Sequence, residues 1–196
     1  VNDSTGPLVL FGDTSANGLR YGATPGDPDG TAYSFTEYGD DFIDATNANG
    51  IVVVDGGAGT DTLKGGKKVS FIAGGAGDDL ITGGLGTNWI IGDSAFDVDY
   101  ALRTVIIDDT APGAGKDTIT GGDNADYIIG DHGLITQTGQ VQYMTGTLDD
   151  NEGVLDMMAD HEVIQIRTTN PSVGGDDTIN AKAGKNIVFG GTGADT

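Results

Sequence analysis

The chain has no cysteine, one tryptophan, nine basic residues and only three glutamates (Glu37, Glu152, Glu162) among 196 positions. Without cysteine there is neither a disulfide nor a thiolate metal site. Nine Lys and Arg face 30 acidic residues, for a net charge of -21. That balance argues against nucleic acid as a partner, whose phosphates need basic side chains, and equally against an anionic membrane surface. No apolar run is long enough to span a bilayer, and no signal peptide is visible. There is no G-x-y period, so collagen is excluded although glycine is plentiful.

What is present is glycine and aspartate. Glycine fills 35 positions and aspartate 27 of the 30 acidic ones. A merely solubilising surface would use glutamate as freely. Aspartate is short, tolerates turns and reaches a cation from a loop, so cations are the natural partner. The length suits one domain or one stack of repeats.

A repeat is visible. GGAGTDTLK (56–64), GGKKVSFIA (65–73), GGAGDDLIT (74–82) and GGLGTNWII (83–91) follow one another without a gap. The pattern G-G-x-G-x-D-x-U-x, with U apolar, returns at 121–129, 181–189 and the shortened 190–196. With its places numbered one to nine, place eight holds Leu10, Ile43, Val54, Leu63, Ile72, Ile81, Ile90, Ile119, Ile128, Ile179 and Val188. All are aliphatic. Each repeat therefore reads as a tight turn followed by a short strand whose middle side chain points inward; glycine allows the turn its positive φ and close backbone approach.

These nonapeptides resemble the RTX, or hemolysin-type, calcium-binding repeat family of large secreted bacterial adhesins and surface proteins. The resemblance implies an all-β, right-handed parallel β-roll with two nonapeptides per coil, and Ca²⁺ between the turns of successive coils. It also implies that the place-six carboxylates and turn carbonyls are the ligands. Alternate repeats then share an edge. One edge carries Asp41, Asp61, Asp79, Asp117, Asp177 and Asp195; the other carries Leu8, Val52, Ser70, Asn88, Asp126 and Asn186. The expectation is a nearly continuous calcium ladder on the first edge, with up to five ions between six turns. Few ions are expected on the second, near Asn88, Asp126 and Asn186.

The outward strand places, seven and nine, also divide. One sheet shows mainly Thr, Lys and Asn. The other shows Val9, Phe11, Val53, Phe71, Ala73, Trp89, Ile91, Tyr127, Ile129, Ile187 and Phe189, an apolar stripe too large to leave in water. Three insertions, at about 14–39, 94–115 and 132–173, leave from the Asp-rich edge directly after strands of that sheet. They are expected to fold back over it as β-hairpins built from 31–38, 102–108, 140–146 and 162–168, with one short helix considered over 154–164. The other reading is that a neighbouring subunit covers part of the stripe. Asp13, Asp93 and Asp131, at the insertion mouths, are either further calcium ligands or caps on the departing loops.

No catalytic signature stands out. His161-Glu162 has Gln165 where a zinc-binding pair would need its second His. His132 is read as solvated or structural, Asp93-Ser94 as part of the repeat, and Trp89 and Tyr127 as packing and not a sugar platform. No enzyme activity is assigned. The expected role is a structural calcium-binding module, outside the cell or on its surface, that folds on meeting calcium. Its neighbours would be further repeats or further copies of the chain. The alternatives are a self-assembling subunit of a filament or surface layer, or an accessory domain of a secreted enzyme. Because it starts at Val1 and stops within a repeat, the chain is expected to be a fragment or a processed subunit.

Overall fold

Turns rich in glycine alternate with short apolar strands, and in the computed structural model the strands sort into two parallel sheets. The structure describes residues 4–15, 35–99, 104–108, 113–137 and 163–196. The first sheet contains, in chain order, Leu8–Phe11, Val52–Ala58, Ser70–Ala76, Asn88–Ile91, Asp126–Ile129 and Ile187–Phe189. The second contains Phe42–Asp44, Thr62–Lys64, Leu80–Thr82, Thr118–Thr120 and Thr178–Asn180. Successive strands alternate between the sheets, so one coil is two strands and two turns: a parallel β-roll.

The register follows the nonapeptide. Leu10, Val54, Ile72, Ile90, Ile128 and Val188 stand in line across the first sheet. Ile43, Leu63, Ile81, Ile119 and Ile179 do so across the second. All of these place-eight side chains but Val188, which is 42% exposed in the last strand, meet in the lumen, where Val54, Leu63, Ile72, Ile81, Ile90, Ile119 and Ile128 are fully buried. Leu8 and Val52 join the same cluster, which explains why two place-six positions carry no polar ligand type.

The tight turns need glycine at specific places. Gly75 has φ +104°, and a Cβ there would collide with the Gly57 carbonyl of the preceding coil; Gly77 repeats this against Gly59. Where insertions leave, place two is Asp13, Asp93 or Asp131. Among the described residues only Asn170 and Lys182 are non-glycines with positive φ. The demand for a left-handed residue thus disappears once the chain departs from the tight turn.

Each insertion contributes an antiparallel pair: Thr14–Ser15 with Phe35–Glu37, Ala95–Asp99 with Thr104–Asp108, and Gly133–Gln137 with Val163–Thr168. The second and third lie over the outer face of the first sheet. Phe96 and Ile135, with Ile107 and Ile166, pack on Val53, Phe71, Trp89, Ile91 and Ile129 in a second apolar cluster. Edge-on ring contacts join Phe71 to Trp89 (5.0 Å) and to Phe96 (6.2 Å), and Trp89 to Tyr127 (5.9 Å). Asp55 interrupts the apolar row. It aligns with Phe11 and Ala73, is fully buried, and its Oδ2 accepts the Phe96 N–H at 3.1 Å. It pins the second insertion to the sheet. The strand expected at 140–146 lies outside the described residues, as does the helix considered over 154–164 except for Val163 and Ile164, which begin a strand. Among the described residues no helix occurs.

The lumen is one side chain deep, so each stacked aliphatic counts. Ile72→Ala should cost about 2–5 kcal/mol by cavity formation. Leu80→Ala, whose side chain is 46% exposed on the outside of the second sheet, should change stability by less than about 0.5 kcal/mol. Denaturant unfolding of both variants in saturating calcium checks the difference.

Candidate metal centre

The Asp-rich edge consists of six stacked turns that end in Asp41, Asp61, Asp79, Asp117, Asp177 and Asp195. Each turn hands the carboxylate to the coil before it. The backbone N–H of Asp41 donates to Asp61 Oδ1 (2.7 Å), that of Asp61 to Asp79 Oδ1 (2.8 Å), and that of Asp79 to Asp117 Oδ1 (2.9 Å). The N–H of Asp117 donates to Asp177 Oδ1 (2.8 Å), and that of Asp177 to Asp195 Oδ1 (3.0 Å). All six predicted residues therefore form one continuous ladder along the roll.

The ladder uses only one oxygen of each carboxylate. Oδ2 of Asp61, Asp79, Asp117 and Asp177 is buried and has no hydrogen-bond partner among the described residues. These atoms share their space with backbone oxygens. A Cβ placed on Gly56 would meet Asp61 Oδ2 and the Gly74 carbonyl; on Gly74, Asp79 Oδ2 and the Gly92 carbonyl; on Gly130, Asp177 Oδ2 and the Gly190 carbonyl. Glycine at place one keeps the turn's interior open, and the atoms facing that space are oxygens. Buried acceptors without donors are costly, and an array of carboxylate and carbonyl oxygens is the ligand chemistry of Ca²⁺.

The electrostatics agree. Burial pushes Asp61 and Asp177 up to about 6, Asp79 to about 7 and Asp117 to about 9, in each case opposed by the backbone N–H on Oδ1 and reinforced by neighbouring carboxylates. The leading charge effects on all four come from other aspartates. Among the described residues, no three carboxylate or imidazole groups converge as a metal-binding cluster. A cation on this edge would accordingly draw part of its shell from turn carbonyls.

A second, exposed ladder runs beside the first. At place five Asp40, Asp78 and Asp176 accept the N–H of Thr60 (2.9 Å), Lys116 (2.8 Å) and Ala194 (2.8 Å) from the following coils. Aspartate alternates there with other residues, so no two place-five carboxylates stack directly. At the insertion mouths Asp13, Asp93 and Asp131 accept the N–H of Gly39 (3.2 Å), Gly115 (2.8 Å) and Gly175 (2.7 Å). Each of these carboxylates bridges the departing and returning ends of its loop.

The other edge closes on itself. Asn88 Oδ1 accepts the Gly84 N–H (2.7 Å), while its Nδ2 donates to the carbonyls of Gly84 (3.2 Å) and Gly86 (2.9 Å) and to Asp126 Oδ1 (2.7 Å). Asp126 Oδ2 accepts the Gly122 N–H (2.8 Å). Asn186 Oδ1 accepts the Asp126 N–H (3.0 Å), and its Nδ2 reaches the Ala181 carbonyl (2.7 Å). Ser70 Oγ accepts the Gly66 N–H (3.0 Å). Here a side-chain amide already donates to the turn carbonyls.

Two of the remaining candidates sit where the insertions meet. His132 is fully buried, with Nε2 bonded to the Gly113 carbonyl (2.7 Å), and Ser94 Oγ accepts the Gly133 N–H (3.3 Å). Together they tie the second insertion to the third. Trp89 is buried in the outer cluster and offers no open stacking face. His161 lies outside the described residues.

The model of the RTX calcium-binding nonapeptide repeat family matches the chain four times, over residues 55–90, 69–98, 113–133 and 173–196. Of the predicted ladder, Asp61, Asp79, Asp117, Asp177 and Asp195 fall within these stretches and Asp41 outside them. No curated protein and no solved structure matches the chain.

The raised carboxylate pKa values fix a sign. Without cations, protonation favours the fold. That contribution is full below the ordinary aspartate value of about 4, and is lost as pH rises through about 6 (Asp61, Asp177), 7 (Asp79) and 9 (Asp117). In calcium-free buffer the folded fraction, read from the fluorescence of the single Trp89, should be larger at pH 4 than at pH 9.

Proposed function

We propose, on the premise that this chain is an array of RTX calcium-binding nonapeptide repeats, that it is a calcium-dependent structural module of a secreted or cell-surface bacterial protein. One observation carries the reading: the row of buried Oδ2 atoms on Asp61, Asp79, Asp117 and Asp177 that no donor among the described residues reaches. With Asp41 and Asp195 at its ends, this row would hold up to five ions, one in each interval between turns, each completed by turn carbonyls. The second edge takes the lesser share. Asn88, Asp126 and Asn186 lie at the matching place, but their oxygens already accept backbone hydrogen bonds and both amides already donate. The role is structural and not catalytic. Residues 1–196 form a single β-roll domain or part of a longer array, with the insertions at about 14–39, 94–115 and 132–173 carried on the roll.

Calcium then decides whether the chain folds. Extracellular calcium modules bind at about 10⁻⁴–10⁻³ M. At ~10 times the dissociation constant each ion adds about 1.4 kcal/mol. Five give ~7 kcal/mol, on the scale of a whole domain's stability of about 5–15 kcal/mol. The chain would stay open at low calcium inside the cell and close outside, which fits export before folding. Circular dichroism should show a disordered chain in EDTA and a β-rich one in millimolar calcium, reversibly. A β-rich spectrum that EDTA leaves unchanged would refute the reading.

A further inference from the structure

On the Asp-rich edge, place two of the repeat is glycine in the tight turns (Gly57, Gly75, Gly191), but carries aspartate at the three insertion mouths. Two of these aspartates have both oxygens engaged. Asp13 accepts the Gly39 N–H within its own turn and, through Oδ2, the Ala58 N–H (2.7 Å) of the next coil. Asp131 accepts the Gly175 N–H and, through Oδ2, the Thr192 N–H. In both cases the next coil makes a tight turn whose place-three N–H faces back.

Asp93 differs because the coil after it also departs into an insertion: place two of that coil is Asp131, and the chain leaves through His132. No place-three N–H faces Asp93. Its Oδ1 accepts the Gly115 N–H, while its Oδ2 is buried with no partner among the described residues, on a residue with 0% exposure. In the same turn Asp117 Oδ2 is likewise buried without a partner among the described residues, and it lies with the Gly130 carbonyl against Gly92. Asp117, Asp131 and Asp177 are the charges that act on Asp93. This is the one described interval in which two insertion-mouth aspartates occupy successive coils.

We infer that Asp93 adds a side-chain ligand, alongside Asp117 and the Gly130 carbonyl, to the calcium ion held between these two insertion-bearing coils, making this interval the tightest site of the array. The inference rests on the reading that the Asp edge holds calcium. A wholly buried carboxylate oxygen without a donor demands either a cation or a proton. Calcium affinity rises with the number of charged ligands in a site, and this interval has one more inward carboxylate than its neighbours. It would fill first and empty last, ordering the roll where the second and third insertions leave it.

Calorimetric titration of the full chain with Ca²⁺ tests this. The wild type should show one step ahead of the others. Asp93→Asn should weaken that step by about tenfold or more and leave later steps in place, with melting in saturating calcium confirming that the variant folds. Asp13→Asn, at a mouth whose oxygens already have donors, should retain the early step. An Asp93→Asn chain that binds its first ion as tightly as the wild type overturns the inference and identifies Asp93 as a protonated acid. If the variant does not fold, the wild-type titration decides: equal steps overturn the inference. A wild type that binds no calcium at all sinks the ladder itself, a distinct result.

Discussion

Stacked carboxylates are the constraint on which this molecule turns. A parallel roll places equivalent residues of successive coils about 4.8 Å apart, and here the equivalent residue is an aspartate six times over. The backbone absorbs half of the problem: one oxygen of each carboxylate after the first, Asp61 to Asp195, takes the N–H of the preceding coil's aspartate. The other oxygen faces inward among carbonyls. Glycine and aspartate are therefore not independent features of the composition. Glycine empties the turn's interior, and aspartate fills it with negative charge.

The two edges solve one geometric problem in two ways. Both must satisfy turn carbonyls that glycine has left bare. On the second edge the donors are built in, as the amide groups of Asn88 and Asn186. On the first they are not, because a carboxylate cannot donate. At Asn88 and Asn186 the chain thus supplies its own donors to the turn carbonyls, and at the Asp-rich edge its side chains supply only acceptors.

Much of this is legible in the sequence. The aliphatic run at place eight reveals the strands, their facing and their register, because a solenoid repeats its environment and each position is read many times over. Sorting place six by alternate repeats separates the two edges. The apolar outer places of the first sheet point to a cover, and Phe96 and Ile135 supply part of it. Features that occur once escape such reading. Asp55 is a lone charge in an apolar row, and its partner is a backbone N–H 41 residues away. The alternation of Asp40, Asp78 and Asp176 at place five is present in the sequence, but its meaning needs the pairing between coils. The distinct situation of Asp93 comes from the course of its neighbouring coil, which no local pattern encodes.

The insertions all leave after place two and return by place four, and in each a single aspartate holds the two ends within hydrogen-bond reach. The clamp fixes the exit and entry points whatever lies between them. Loop length is thereby decoupled from solenoid geometry: the clamped residues stand 26, 22 or 44 positions apart in the chain without shifting the register of either sheet. Such a junction is a socket. It lets the roll serve as a rail on which segments of unrelated size and sequence are mounted at any coil, all along the same rim.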